Sequence, residues 1–110
     1  MGLQMQSTAP DLAAKLNGPN PPVLVDVREP EEFALCQIGG AILLPLSELQ
    51  SRWGELQPLK GREIVVYCHH GVRSSHAIRF LELAGMDRLW NLSGGIDEWS
   101  VKVDPGVARY

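Results

Sequence analysis

Residues 65–75 read VVYCHHGVRSS. A β-branched run ends at Cys68, and His69, His70, Gly71, Val72 and Arg73 follow before Ser74 and Ser75 open a helical pattern. A thiol at a strand exit and a helix foot, among cationic or titratable groups with no acid beside it, is placed for thiolate chemistry. Amide N–H groups at a helix start lack intrahelical partners, and a tight loop can turn them inward to cradle an anion. Gly71 lets the backbone curl closely. Ser74 is expected to cap the following helix, whose positive end adds to the same field. Arg73 supplies a permanent cation with a planar fork suited to an oxyanion. Together these features favour the thiolate, the reactive form of cysteine.

An isolated cysteine is more often an inert packing residue. The glycine, the arginine and the helix start have no purpose in such a site, so the complete loop favours reactivity. A metal site built from Cys68, His69, His70 and His76 has no second cluster at ligand spacing to complete it. Asp26 and Arg28, in VDVR, read as an ion pair fixing a strand end near the loop in preference to substrate contacts. His69 and His70 either shuttle protons, since an unperturbed histidine titrates near about 6.5, or form the solvent side of a loop whose backbone binds. His76 reads as a surface residue, and Trp53, Trp90 and Trp99 as core or rim packing. Cys36 reads as packing, with a resolving thiol as the alternative.

The elements that must position Cys68 follow from patterning. STAPDLAAKLNG predicts a short helix with Ser7 or Thr8 as cap, Pro10 near its first turn and Gly18 as its stop. After a proline-rich turn, VLVDV (23–27) is a buried strand. EPEEFALCQI opens with a proline and acids that suit a helix N-terminus. AILLP (41–45) is a further apolar run. Ser47 is expected to cap SELQSRWGEL, where Leu49, Trp53 and Leu56 recur at helical spacing. EIVVY is the most strand-like segment. A helix is expected from Ser74 to Gly85, then a strand LWNL (89–92) and a last short helix in IDEWSVKV. Strands alternating with helices imply a parallel sheet covered on both faces, with ligands beyond the carboxyl ends of its strands.

The chain has 110 residues, which suits one domain over 1–110, with a core of about 8–104 and a tail of 105–110. Apolar residues make up 45% and charged residues 21%, the balance of a globular protein. A net charge of -3 argues against a nucleic-acid or anionic-membrane partner. No apolar run approaches the roughly 20 residues of a membrane span. The stretch MGLQMQSTAPDL lacks the regions of a signal peptide. Two cysteines give no disulfide framework, so a reduced, cytoplasmic setting is expected.

VLVDVREPEEF with ILLPLSEL downstream, the loop YCHHGVRSS, and NLSGGIDEW occur in this order along the chain. In these motifs it resembles the single-domain rhodaneses, a sulfurtransferase family, over roughly residues 8–104. The resemblance implies a rhodanese-like α/β fold with a central five-stranded parallel sheet flanked by helices on both faces. It also implies that Cys68 takes the outer sulfur of a donor such as thiosulfate as a persulfide, and that cyanide or a thiol then removes it. The backbone of His69, His70, Gly71, Val72 and Arg73 and the Ser74 hydroxyl would surround that sulfur, with Asp26 and Arg28 in support. No cofactor is implied. Partners would be a small-molecule sulfur donor, a thiol or cyanide acceptor, and a sulfur-carrier or persulfide protein.

WSVKVDPGVARY resembles the ends of rhodanese domains fused to the activating enzymes of molybdopterin and thiamine sulfur transfer. Where the family usually shows Gly-His-Ile-Pro-Gly-Ala, this chain has Cys36-Gln37-Ile38-Gly39-Gly40-Ala41. One alternative is a cysteine-dependent phosphatase or arsenate reductase on the same fold. Cys68 and Arg73 enclose four residues, HHGV, one fewer than the cysteine phosphatases, and so form a ring suited to a sulfur atom more than to a tetrahedral phosphate. The other is a noncatalytic rhodanese-like docking module, which the retained cysteine in an intact loop argues against.

Overall fold

Short apolar runs can bury both faces only if they pair with each other and helices cover them. In the computed structural model, which describes residues 4–110, they do so as one five-stranded parallel sheet. The strands are β1 (Met5–Ser7), β2 (Val23–Asp26), β3 (Ile42–Leu43), β4 (Ile64–Tyr67) and β5 (Leu89–Leu92), in spatial order β1-β5-β4-β2-β3. The main helices are α1 (Ala9–Leu16), α2 (Pro30–Leu35), α3 (Leu49–Arg52), α4 (Val72–Leu83) and α5 (Gly95–Lys102). Among the described residues, no helix is long and apolar enough to cross a membrane.

Alternation along β4 divides the core in two. Ile64, Val66 and Cys68 face the cluster built with α3 and α4, through Leu49, Ala77, Ile78 and Leu81. Val65 and Tyr67 face the other cluster, built with α1 and α5 through Leu12, Ile96 and Trp99. Cys68 therefore continues the strand's period and points toward the side on which α4 begins. Beyond β2 the chain moves to β3, and beyond β4 it moves the other way to β5. The two loops part above adjacent strands, and such a parting opens a crevice at the carboxyl ends of a parallel sheet.

Several elements differ from their sequence expectation. β1 has three residues, MQS, too short and too polar to announce itself, yet it pairs with β5 from Met5–Trp90 to Ser7–Leu92. The segment after β3 is a chain of short turns, a 3-10 turn at Leu46–Glu48, α3, and a 3-10 stretch at Trp53–Leu59 that contains Pro58. Ser47 caps nothing there, and its hydroxyl donates to Glu29 Oε1 at 2.8 Å. Leu49 and Leu56 still reach the core. Of the two candidate caps for α1, Thr8 takes the role, accepting the Asp11 amide at 3.2 Å. Ser74 is not the cap of α4, because that helix starts two residues earlier and Gly71 holds the cap position.

The loop after β4 is fixed by the start of α5. The amides of Ile96 and Asp97 donate to the carbonyls of Cys68 and His69 at 2.9 and 3.2 Å. Such contact brings backbone against backbone. Gly95, at φ +63°, allows it, since a Cβ there would lie 2.2 Å from the His69 carbonyl oxygen. We expect Gly95→Ala to lower the unfolding free energy in urea by about 2–4 kcal/mol, combining strain and overlap. Gly39→Ala, whose added carbon has nothing within 4 Å, should change it by less than about 0.5 kcal/mol. Equal midpoints for the two variants would show that the α5 clamp does not govern the fold.

Candidate active site

Cys68 lies one residue past β4 and is 1% exposed. Its Sγ accepts the amide of Gly71 at 3.1 Å and that of Ser74 at 3.3 Å. Ser74 is the third residue of α4, so the sulfur takes up amide hydrogens that the first turn leaves without helical partners. Gly71, at φ +102°, turns its own amide inward, and a Cβ on it would lie 2.4 Å from the Ser93 carbonyl oxygen. Two N–H donors and the positive end of a twelve-residue helix thus meet at one sulfur atom. That arrangement favours negative charge on Sγ.

A side-chain relay backs this cradle. The Ser74 hydroxyl sits 3.4 Å from Sγ and donates to Asn91 Oδ1 at 2.5 Å. Asn91 Nδ2 donates to the Gly71 carbonyl at 3.2 Å and to Gln6 Oε1 at 3.1 Å, tying the cradle to β5 and β1. Sequence reasoning passed over Asn91. Its signal was a lone polar residue inside the apolar strand LWNL.

Asp26 and Arg28 form a fully buried pair beside the loop, with Arg28 Nη2 to Asp26 Oδ2 at 2.7 Å. Arg28 Nη2 also donates to the Cys36 carbonyl at 2.6 Å, and Nη1 reaches Cys36 Sγ at 3.7 Å and the Tyr110 hydroxyl at 3.0 Å. Burial opposes the guanidinium's charge, but the hydrogen bonds to Asp26 and Tyr110 outweigh it and raise the Arg28 pKa. Arg28 thus joins β2, the segment after α2 and the chain's last residue. Cys36 lies in this buried network.

Arg73 is placed differently from its expected role. Its fork is filled by Glu32, with Nη1 to Oε1 at 2.6 Å and Nη2 to Oε2 at 2.8 Å. Hydrogen bonding from Arg73 outweighs partial burial and holds the Glu32 carboxyl down at about 2. The Tyr110 hydroxyl donates to the same carboxylate at 2.5 Å, and burial pushes that phenol up to about 12. Neither Glu32 nor Tyr110 stood out in the sequence. Glu32 read as one acid among several at a helix start, and Tyr110 as tail. The tail instead folds back, with Arg109 Nε on Asp97 Oδ1 at 2.9 Å and the Ser100 hydroxyl donating to the Val107 carbonyl.

Tyr110 stacks on His69, ring centroids 4.0 Å apart and planes 9° from parallel. His69 Nε2 is buried there without a hydrogen-bond partner. Burial, then the neighbouring His70, push the His69 pKa down. His70 and Val72 face solvent, as does His76 one turn into α4. The structure therefore brings Cys68, Gly71 and Ser74 to the sulfur, sets His69 and Arg73 at the rim, and turns the side chains of His70 and Val72 away.

Residues 8–102 match the model of the rhodanese-like domain. The chain belongs to the rhodanese-like family. A sulfurtransferase of Allochromatium vinosum is 40% identical over 86 residues, covering 78% of this chain and 78% of that protein. The probable adenylyltransferase/sulfurtransferase MoeZ of Mycobacterium tuberculosis is 37% identical over 87 residues. That match covers 79% of this chain but only 22% of MoeZ. The crystal structure of a rhodanese-like domain protein from Staphylococcus aureus superposes with a TM-score of 0.82 at 30% identity, over 98% of this chain and 99% of that one.

Within this rhodanese-like site, the Glu32 carboxylate makes a pH-dependent contribution of known sign. A carboxyl held below its ordinary value stabilises the fold above its unfolded pKa of 4.5 and loses that stabilisation as pH falls toward about 2. The stability advantage of wild type over Glu32→Gln should be full above pH 4.5 and shrink steadily below it. Urea titrations at several acidic pH values check this. A constant gap would place the Glu32 contribution in packing instead of charge.

Proposed function

We propose that this rhodanese-like protein is a sulfurtransferase that carries sulfane sulfur as a persulfide on Cys68. The observation that carries the reading is the pair of amides, Gly71 and Ser74, aimed at one buried Sγ. The family and the sulfurtransferase names of its relatives support it. The cradle stabilises first a thiolate and then a persulfide anion, because oriented N–H groups at a helix start favour negative charge without further reorganisation. With thiosulfate as donor, the Cys68 thiolate bonds to the outer sulfur and sulfite departs with the electron pair of the broken S–S bond. Cyanide or an acceptor thiolate then attacks the bound outer sulfur. It leaves as thiocyanate or a new persulfide, and the Cys68 thiolate returns.

Asn91 holds the Ser74 hydroxyl and the Gly71 carbonyl and so positions the cradle around the sulfur, and this scheme calls on no metal or organic cofactor. Partners are a small-molecule sulfur donor with a thiol or cyanide acceptor, and a sulfur-carrier or persulfide protein is a further acceptor class. Both cysteines are free thiols, which suits a reducing, cytoplasmic setting.

Intact mass tests the proposal. Wild type given thiosulfate should gain the mass of one sulfur atom and lose it to cyanide with release of thiocyanate. Cys68→Ser should neither gain the mass nor turn over. Cys36→Ser should keep most of the rate, since Cys36 sits in the Arg28 network and outside the cradle. A loss as deep as that of Cys68→Ser would make Cys36 a second carrier thiol. Efficient hydrolysis of phosphate esters without a sulfur adduct would overturn the sulfurtransferase reading in favour of a phosphatase.

A further inference from the structure

Three arginines around the cradle are matched by carboxylates. Arg28 is paired with Asp26, Arg73 with Glu32 and Arg109 with Asp97. Arg73 stands in the first turn of α4, directly before Ser74, whose amide meets the sulfur. The Arg73 fork is saturated on both sides by Glu32 at 2.6 and 2.8 Å. Glu32 is in turn braced by the Tyr110 hydroxyl, which Arg28 holds at 3.0 Å. The Arg73 fork is therefore filled, and the attraction for an anion is carried by the amides of the cradle.

We infer that Glu32 is a specificity-determining residue which, by occupying the Arg73 fork, turns the site away from dianionic sulfur donors and toward persulfides of organic thiols. This rests on the persulfide reading of Cys68. The two donor classes present the same outer sulfur to the cradle and differ in what remains at the rim. Thiosulfate leaves a sulfonate there, which meets the Glu32 carboxylate and an Arg73 fork already filled. An alkyl persulfide leaves an uncharged organic group. In that transfer the Cys68 thiolate bonds to the outer sulfur, the S–S bond to the organic sulfur breaks, and the departing thiolate takes the proton that the outer sulfur carried. No redox partner is needed, and no more than one negative charge is displaced to the rim.

The test compares thiosulfate with 2-hydroxyethyl persulfide, whose organic part is uncharged, using cyanide as acceptor. The readout is the ratio of kcat/KM for thiosulfate to kcat/KM for the persulfide. Glu32→Gln frees the Arg73 fork and removes the repelling charge, so the ratio should rise about tenfold, chiefly through a lower thiosulfate KM. Glu32→Asp keeps the charge and should hold the ratio within about threefold of wild type, which separates charge from packing. Circular dichroism confirms that both variants are folded. An unchanged or lower ratio in Glu32→Gln, with both donors still loading Cys68, would overturn this inference and leave the sulfurtransferase reading standing. Failure of both donors to load wild-type Cys68 would overturn the sulfurtransferase reading itself, and this inference with it.

Discussion

Two helix starts converge on the end of one strand, and the site depends on how their free amides are shared. Those of α4 point at the Cys68 sulfur, and those of α5 take the carbonyls of Cys68 and His69. One helix supplies the field, and the other holds the loop in the shape that lets the field act. Both contacts need backbone within touching distance of backbone, which explains glycine at 71 and at 95. Neither could work at a sheet edge. Burial in the middle of the sheet keeps water from competing for the same N–H groups.

Around this centre lies a second layer of order made from charge. Arg28 is fully buried and bonded to Asp26, Cys36 and Tyr110, so it fixes the strand end, the segment after α2 and the final residue at once. Removing water from such a group is costly, and the cost is tolerable only because its donors are so fully engaged. Where the more usual family motif carries a histidine, this chain has Gln37, with the Cys36 carbonyl on Arg28 and the Ile38 amide on the Tyr67 hydroxyl at 3.2 Å. Backbone groups anchor the segment.

The strands β2, β4 and β5 were legible because each is a short, mainly apolar run, and α4 because its apolar positions recur at helical spacing. β1 was not, since three residues on an outer strand need little hydrophobicity of their own. Cys68 and its glycine announced themselves through local spacing. The pairing of Arg73 was hidden for the opposite reason. Its partner, Glu32, is 41 residues away in sequence, and no local pattern tells a free guanidinium from one already paired. Asn91 and Tyr110 share that difficulty, as their roles arise only once distant segments meet.

The cradle is made of main chain, and that has a consequence for how such a protein diversifies. The groups that meet the sulfur are amides of Gly71 and Ser74, while the side chains at His70 and Val72 look outward, Val72 being 63% exposed. Cradle and surface are therefore separately heritable within the five residues 70–74. Drift at positions 70 and 72 can redraw the outline offered to visiting molecules without disturbing the amides beneath. One main-chain cradle can in this way acquire a new clientele by replacing two side chains.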